Sequence, residues 1–412
     1  MGDAGGGPGL EIPDIAIVGR FPFPTGAAAS NNLRGHCRAL QEAGFTVGVF
    51  PDQAAGRPSD RRPDGRYFFA GSEYWSLCPA RPNTRRENLR RRLPWASDPR
   101  MDFLFADPHR SPRAVITYPT CESSVPMLRG FGRLCASRGI PLFSFVVEWH
   151  APSGYEGRWG PFDFLDGEVQ RRLLNRRLSG VLCISKYLQN YYSKRRCRSL
   201  LLPPLLDLSE PEWAAVPRPA DPPGRPLRIL FSGSFARDRQ DLIIQAVKRV
   251  REEGGALRLE YLGATREAIT RLPGVGAALV DSLGDGICFH GRVPDAEVRL
   301  IAGAADFAVL FRPDARWSRA CFPSKVPEFL ALGVPILCNL TSDLGEYLQD
   351  GREALIAPDL TVGGLAATLR RALALSPAML GAMRCSARTC ASSFDARRFA
   401  SLYRDFLSPS CQ

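Results

Sequence analysis

A lysine, a hydroxyl and a carboxylate stand together in the stretch FPSKVPEFLALGVPIL, residues 322–337, which is otherwise mostly apolar. Ser324 and Lys325 precede a short segment with helical spacing, and Glu328 follows one turn later. Backbone N–H groups at a helix start favour anions, and the lysine adds a compact positive charge. Glu328 can accept hydrogen bonds from two vicinal hydroxyls, as a ribose presents them. The stretch predicts either a site for a phosphorylated ribose or an ordinary helix start with a serine cap.

Two arginines lie near a second predicted helix start, in LFSGSFARDRQDLIIQAV at residues 230–247. Arg237 and Arg239 follow a strand pattern and a loop of small residues. At the carboxyl end of a parallel strand, guanidinium groups would neutralise a diphosphate. Arginine near a helix start is also often an ordinary surface residue, so the motif alone is a weak signal, and its position after the first strand of the domain strengthens the phosphate interpretation.

The first half of the chain adds two candidate ligand contacts. Gly26 and Ala27 lie in FPTGAAASNNLRG, a loop of small residues that lets backbone approach a ligand closely, although it is not G-x-G-x-x-G. His150 lies in FSFVVEWHAPSGY, where the chain leaves a predicted strand. A lone histidine is more often structural, but this position at a strand's carboxyl end favours a substrate contact.

The elements that must position these residues are alternating strands and helices, and they predict two parallel α/β domains in series. Proline becomes dense between residues 203 and 226, and the strand–helix pattern then restarts. The default ligand site of two such domains is the cleft between them. The helical C-terminal segment packs either on its own domain or back on the first. The predicted divisions are a disordered N-terminus (1–13), a first Rossmann-like domain (14–204), a Pro-rich linker (205–226), a second Rossmann-like domain (227–384) and a helical tail (385–412).

Composition limits the protein classes that fit. With 412 residues, 45% hydrophobic and 23% charged, the chain is typical of a globular protein of two domains. It has no apolar run of the roughly 18 residues that a spanning helix needs. Its first residues lack the pattern of a signal peptide, which predicts a cytoplasmic protein. The twelve cysteines are scattered without C-x-x-C, which predicts reduced thiols and no metal site.

The net charge of +12 suggests nucleic acid, an anionic membrane surface or phosphorylated ligands as partners. Basic residues concentrate at 85–93, 170–178 and 193–199. Aromatic residues do not alternate with these arginines as they do in a base-stacking groove, so nucleic acid is not expected. Peripheral association with the anionic inner face of a membrane remains a hypothesis.

Four stretches, in this order, resemble the retaining GT-B glycosyltransferases of family 4, the group 1 glycosyltransferases. They are GAAASNNLRGHCRALQEAGFTVGVF, then VVEWHAPSGY with LCISKYLQNYYSKRRCRSLLLPPLLDL, then ILFSGSFARDRQDLIIQAV, and FPSKVPEFLALGVPILCN. The resemblance covers almost the whole chain. It implies a GT-B fold, in which two Rossmann-like domains, one for the acceptor and one for the nucleotide sugar, face each other across a cleft.

The resemblance also implies a reaction and a set of residues. A sugar moves from a nucleotide diphosphate donor to a hydroxyl of a glycan, lipid-linked or small-molecule acceptor, with retention, without a metal and with no cofactor besides the donor. The catalytic residues implied are His150, which contacts the transferred sugar, and Glu328, the second Glu of the E-x7-E motif, which binds the ribose. The donor-binding residues implied are Gly26, Ala27, Arg237, Arg239, Arg292, Val293, Ser324, Lys325 and Glu328.

One position departs from the family pattern. Ala320 stands where the family usually has its first Glu, and Asp314 or Arg319 is a candidate substitute. Two alternatives therefore stay open. One is a GT-B nucleotide-sugar epimerase, and the other is a non-catalytic GT-B scaffold that binds a partner.

Overall fold

The computed structural model describes two compact α/β units. The first comprises residues 1–205 with 396–412, and the second comprises 206–395. Most of the predicted N-terminus, residues 1–11, lies outside the described residues. The described residues are 12–24, 28–54, 60–61, 67–69, 72–74, 104–107, 110–118, 124–152, 160–214, 224–233 and 235–408.

The first unit contains a sheet whose described strands run in the order β3-β4-β2-β1-β5-β6-β7-β8. Neighbouring strands are parallel except β3 and β4. The strands are β1 (Ile15–Phe23), β2 (Val47–Ala54), β3 (Tyr67–Phe69), β4 (Ser72–Tyr74), β5 (Ala114–Tyr118), β6 (Leu142–Val146), β7 (Gly180–Cys183) and β8 (Ser199–Leu201). The helices are α1 (Ala28–Glu42), α2 (Ser124–Ser137), α3 (Gly160–Val169), which continues as a π-helix (Gln170–Leu174) and a 3₁₀ turn (Asn175–Arg177), and α4 (Lys186–Ser193).

Strand β1 illustrates why the strands of this sheet are runs of consecutive apolar residues. Ile15 and Ile17 belong to the core that includes residues of α1, whereas Ala16 and Val18 belong to the core on α2. Successive residues of a strand point to opposite faces, so a sheet covered on both faces needs apolar residues at every position.

The second unit contains a parallel sheet with the order β11-β10-β9-β12-β13-β14. Its core joins the strands to the helices at residues 240–252 and 362–373. The strands are β9 (Leu227–Ser232), β10 (Leu257–Leu262), β11 (Ile287–Gly291), β12 (Phe307–Leu310), β13 (Ile336–Cys338) and β14 (Ala354–Ile356). The helices are α5 (Gln240–Glu252), α6 (Arg266–Thr270), α7 (Gly276–Asp281), α8 (Asp295–Ala304), α9 (Arg316–Ala320), α10 (Lys325–Ala331), α11 (Val362–Leu373) and α12 (Pro377–Ala391).

The segment predicted as a linker is packed where the structure describes it. The backbone N–H of Leu206 donates to the Phe394 carbonyl at 2.9 Å, and the Trp213 side chain is buried. Residues 206–214 therefore form part of the second unit. Packing against residues near 394 gives residues 206–214 a fixed course that composition alone does not indicate.

The C-terminal segment returns to the first unit, which decides between the two predicted options. Helix α13 (Ala400–Leu407) buries Tyr403, Phe406 and Leu407 in the core that contains α1. The Tyr403 hydroxyl lies 2.8 Å from His36 Nδ1, and the Phe406 and Phe143 rings are 5.5 Å apart. The predicted tail is thus divided, since residues 385–395 belong to the second unit and residues from 396 onward to the first.

Burial of His36 predicts a loss of stability in mild acid. Burial lowers the pKa of His36 from 6.5 to about 3, so the folded chain keeps the imidazole neutral while the unfolded chain protonates it below 6.5. This contribution is complete above about pH 6.5 and is lost as the pH falls toward 3, by about 2 kcal/mol at pH 5. Urea unfolding of wild type and His36→Gln at about pH 7.5 and 5 measures it. An equal drop in the free energy of unfolding of both proteins would contradict it.

Candidate active site

Lys325 and Glu328 form an ion pair at the start of α10. Lys325 Nζ donates to Glu328 Oε2 at 2.7 Å, one helical turn apart, and Glu328 is 8% exposed. Ser324 occupies the N-cap position, but its side chain makes no capping hydrogen bond. The serine-cap interpretation is therefore not what the structure shows. The ammonium has three N–H donors, so one bond to Glu328 leaves it able to reach a further anion.

The loop after β9 passes directly beside this pair. Gly233 has φ +135°, a conformation that side chains rarely adopt. A Cβ added at Gly233 would lie 4.0 Å from Lys325 Cγ. β9 and β12 are neighbouring parallel strands, so the loops that follow them lie at the same edge of the sheet. The structure therefore brings the β9–α5 loop and the start of α10 together.

The two predicted diphosphate arginines differ in their surroundings. The Arg239 guanidinium donates to both carboxylate oxygens of Asp241, at 2.8 and 2.6 Å, within the first turn of α5. Arg237 is the last residue of a 3₁₀ turn (Phe235–Arg237). Its positive charge favours the ionised form of Asp238 and so opposes the rise in the pKa of that carboxyl group that burial causes. Asp241 therefore neutralises Arg239, and a phosphate contact of either arginine stays a prediction.

A partly buried network at the same sheet edge was not predicted from the sequence. Arg312, just beyond β12, donates through Nε to Asp238 Oδ1 at 3.1 Å and exchanges two hydrogen bonds with Asn339, which follows β13. Burial raises the pKa of Asp238 to about 6, against the opposing charges of Arg312 and Arg237. Within the described residues, the buried Nη1 of Arg312 has no hydrogen-bond partner. The sequence does contain a signal for Arg312, because it is a charged residue shortly after a strand, which is the criterion by which Arg237 was chosen.

The remaining predicted residues of the second unit are more dispersed. Arg292 and Val293 follow β11, two strands away from β9, and Arg292 is exposed. Ala320 is fully buried at the end of α9, so a carboxylate there would need a buried partner. Its two candidate substitutes form an ion pair with each other, Arg319 Nε lying 3.5 Å from Asp314 Oδ1.

In the first unit, His150 lies just beyond β6, as predicted. It is 5% exposed, and its Nε2 lies 2.7 Å from Glu148 Oε2. A carboxylate at this distance fixes the orientation of the imidazole. The neighbouring Trp149 donates from Nε1 to Glu168 Oε1 at 2.6 Å. Gly26 and Ala27 lie outside the described residues. The contact of His150 with a transferred sugar stays a prediction.

Among the described residues, no group of three or more His, Cys, Asp or Glu side chains could hold a metal ion. In the same part of the chain, no helix is both long and apolar enough to cross a membrane.

Comparison with known proteins places the fold. Sucrose-phosphate synthase from Thermosynechococcus elongatus superposes with a TM-score of 0.64 at 16% identity, covering 95% of this chain and 98% of that one. The complex of Anabaena HepE with UDP and glucose gives 0.63 at 12% identity, with the same coverage. The chain has the GT-B fold. The α,α-trehalose 6-phosphate synthase from Burkholderia multivorans is a further GT-B structure that it resembles, with a TM-score of 0.63 at 12% identity over 95% and 98% of the two chains.

Sequence comparison gives one further result for this GT-B chain. Residues 226–374, which include the Lys325–Glu328 pair and the Asp238–Arg312 network, match the family model described as Glycosyl transferases group 1. No curated protein sequence matches the chain. The matched segment lies wholly within the second unit and contains the candidate residues from Arg237 to Glu328, but not His150 of the first unit.

Proposed function

We propose that this protein is a retaining glycosyltransferase that transfers a sugar from a nucleotide diphosphate donor to an acceptor hydroxyl. The Lys325–Glu328 pair at 2.7 Å is the observation on which the proposal rests. It lies beside the Gly233 loop and within the segment that matches the glycosyltransferase model. The complex of the structurally similar HepE with UDP and glucose supports a nucleotide-sugar donor.

In this proposal the second unit binds the donor through three side chains. Lys325 and Arg237 place positive charge against the diphosphate, where leaving-group charge develops as the glycosidic bond breaks. Glu328 accepts hydrogen bonds from the ribose hydroxyls, which positions the donor rather than reacting with it. The cations then take the part that a metal ion plays in other transferases.

Retention follows from substitution on one face of the sugar. The bond between the anomeric carbon and the diphosphate oxygen breaks, and the acceptor oxygen forms its new bond on the same face. The acceptor hydroxyl proton passes to the departing diphosphate oxygen, so no protein carboxylate needs to act as the nucleophile.

Binding to a panel of nucleoside diphosphates and their sugars, in the presence of chelator, tests the proposal. We expect one nucleoside diphosphate to raise the melting temperature, because a ligand that binds only the folded state stabilises it. Turnover of the matching nucleotide sugar, followed by NMR of the anomeric proton, then reports the configuration. No response across the panel would contradict a donor site and favour a scaffold, and an inverted product would contradict retention.

Glu328→Gln is expected to weaken nucleoside diphosphate binding by about tenfold, since the ribose loses a charged acceptor worth roughly 1.5–3 kcal/mol per hydrogen bond. Binding of pyrophosphate, which has no ribose, should change little. Titration calorimetry with both ligands measures the difference. Glu252→Gln is a matched control, because Glu252 pairs with Lys248 at 2.6 Å on the exposed side of α5. Equal losses for both ligands would show that Glu328 acts only by holding Lys325.

A further inference from the structure

Three large apolar side chains are exposed along one helical stretch of the first unit. Phe162 and Leu165 on α3 are 61% and 59% exposed, and Leu173 on the following π-helix is 56% exposed. Single exposed apolar residues are common, but a contiguous group marks an interaction site. We call residues 160–177 with these side chains the α3 surface.

Helix geometry places these three side chains on one side of the stretch. Phe162 and Leu165 are three residues apart, which puts them on the same face. In a regular α-helix Leu173 would be rotated by about 80° from Leu165, because eight residues exceed two turns. The π-helix at Gln170–Leu174 has wider turns, so it rotates less per residue and returns Leu173 toward the face of Leu165.

Cations adjoin the apolar residues. Arg172, Arg176 and Arg177 are exposed on the same stretch. The Arg172 guanidinium lies 5.6 Å from the Trp149 ring centroid, the Trp149 and Tyr191 rings are 4.6 Å apart, and the Arg195 guanidinium lies 3.7 Å from the Tyr191 ring. This chain of contacts joins the α3 surface to the exposed cations at residues 194–196.

The carboxylates of the stretch are engaged within the protein, and Glu168 offsets the charge of Arg172, so the positive charge open to a ligand comes from Arg176, Arg177 and the cations at residues 194–196. Asp163 is buried, and Asp166 accepts a hydrogen bond from the Val125 backbone N–H. Glu168 accepts from Trp149 at 2.6 Å and from Arg172 at 2.6 Å, and against the opposing effect of burial these hydrogen bonds hold its pKa below the usual range. The α3 surface therefore presents apolar groups and net positive charge together.

We propose that the α3 surface binds the surface of an anionic lipid bilayer. Exposed Phe and Leu side chains enter the boundary between headgroups and acyl chains, while adjoining arginines contact anionic headgroups. Nucleic acid fits less well, because Trp149 is buried and the Tyr191 ring is covered by Arg195, so neither ring is open for base stacking. This inference does not depend on the donor site.

Flotation of the full chain with vesicles tests the proposal. We expect binding to vesicles of equal parts phosphatidylcholine and phosphatidylglycerol, weak binding to phosphatidylcholine alone, and release at about 1 M salt, where charges are screened within roughly 3 Å. The triple variant Phe162→Ser/Leu165→Ser/Leu173→Ser and the double variant Arg176→Glu/Arg177→Glu should each bind at least about tenfold more weakly. Both should keep wild-type nucleoside diphosphate binding, so a failure here is distinct from a failure of the proposed function.

Matched substitutions elsewhere provide the controls. Leu300→Ser/Leu340→Ser/Met379→Ser removes three comparably exposed apolar side chains of the second unit, and Arg271→Glu/Arg398→Glu makes the same charge change. Neither control variant should reduce vesicle binding as strongly as the two variants of the α3 surface. Equal effects of surface and control variants would overturn the proposal. So would displacement by soluble glycerol phosphate, which would indicate a free-phosphate site, or binding to oligouridylate without binding to vesicles.

Discussion

Lys325→Met is expected to weaken nucleoside diphosphate binding by about 10- to 100-fold, the range that corresponds to losing one charged hydrogen bond of roughly 1.5–3 kcal/mol. Lys325 Nζ lies 2.7 Å from Glu328 Oε2, so the ammonium is held by a neighbour rather than free to rotate. A held charge loses less side-chain entropy when the phosphate arrives. Methionine keeps the length and apolar stem of the side chain, so the fold should be retained. Titration calorimetry measures the change in affinity.

Lys248→Met is the matched control, because Lys248 makes a similar pair with Glu252 on the exposed side of α5. It should leave affinity within about twofold, as expected for an exposed ion pair. Pyrophosphate and nucleoside diphosphate should lose affinity together in Lys325→Met, in contrast to Glu328→Gln. Unchanged pyrophosphate affinity in Lys325→Met would show that the ammonium does not contact phosphate, and would remove the main support for the proposed donor site.

Gly35→Ala is expected to destabilise the chain by about 3 kcal/mol or more, at the upper end of overpacking effects. A Cβ at Gly35, in the middle of α1, would overlap the Leu205 carbonyl oxygen and lie 2.8 Å from Leu205 Cβ. Backbone atoms cannot rotate away as a flexible side chain can. Moving this segment would also strain the buried hydrogen bond from Leu205 N to Asn32 Oδ1, 3.1 Å long. Urea unfolding gives the change in free energy of unfolding.

Gly132→Ala, in the same unit, is expected to stabilise the chain, in contrast to Gly35→Ala. Gly132 lies inside α2, and the nearest atom to an added Cβ is Leu142 Cδ2 at 3.9 Å. Alanine there relieves the entropic cost of glycine in a helix, so stability should rise by about 0.5–1 kcal/mol. If Gly35→Ala were tolerated as well as Gly132→Ala, the close approach of α1 to Leu205 would be wrong.

Local patterns predicted the strands and the proximity of Lys325 to Glu328. The apolar run at Ile15–Val18 forms part of β1. Both faces of this strand are covered, so every position needs an apolar residue, and the sequence shows this directly. Lys325 and Glu328 are three residues apart on a helix, so their proximity follows from helix geometry alone. The two-domain α/β prediction and its GT-B assignment were confirmed by the sheet topology and the structural comparisons.

Features that depend on strand order or on contacts between distant residues could not be predicted from local sequence patterns. Arg312 meets Asp238 because β12 lies next to β9, although β10 and β11 separate those strands along the chain. The destination of α13 depends on Tyr403 reaching His36, a contact across 367 residues. The side chain of Asp241, two residues from Arg239, holds its guanidinium, a contact that the strand and loop pattern did not indicate. Composition could not distinguish these cases, because each depends on which partner the fold supplies.

The return of the last helix to the first unit has a consequence during synthesis. A ribosome delivers residues 1–205 first, yet Tyr403, Phe406 and Leu407 of the same core emerge only after the 190 residues 206–395. At about 5–20 residues per second this interval is roughly 10–40 s. During this interval α13 is not yet available to pack on α1, so the nascent first unit exposes apolar surface there. The second unit is one continuous segment, and its synthesis is completed before that of the first unit.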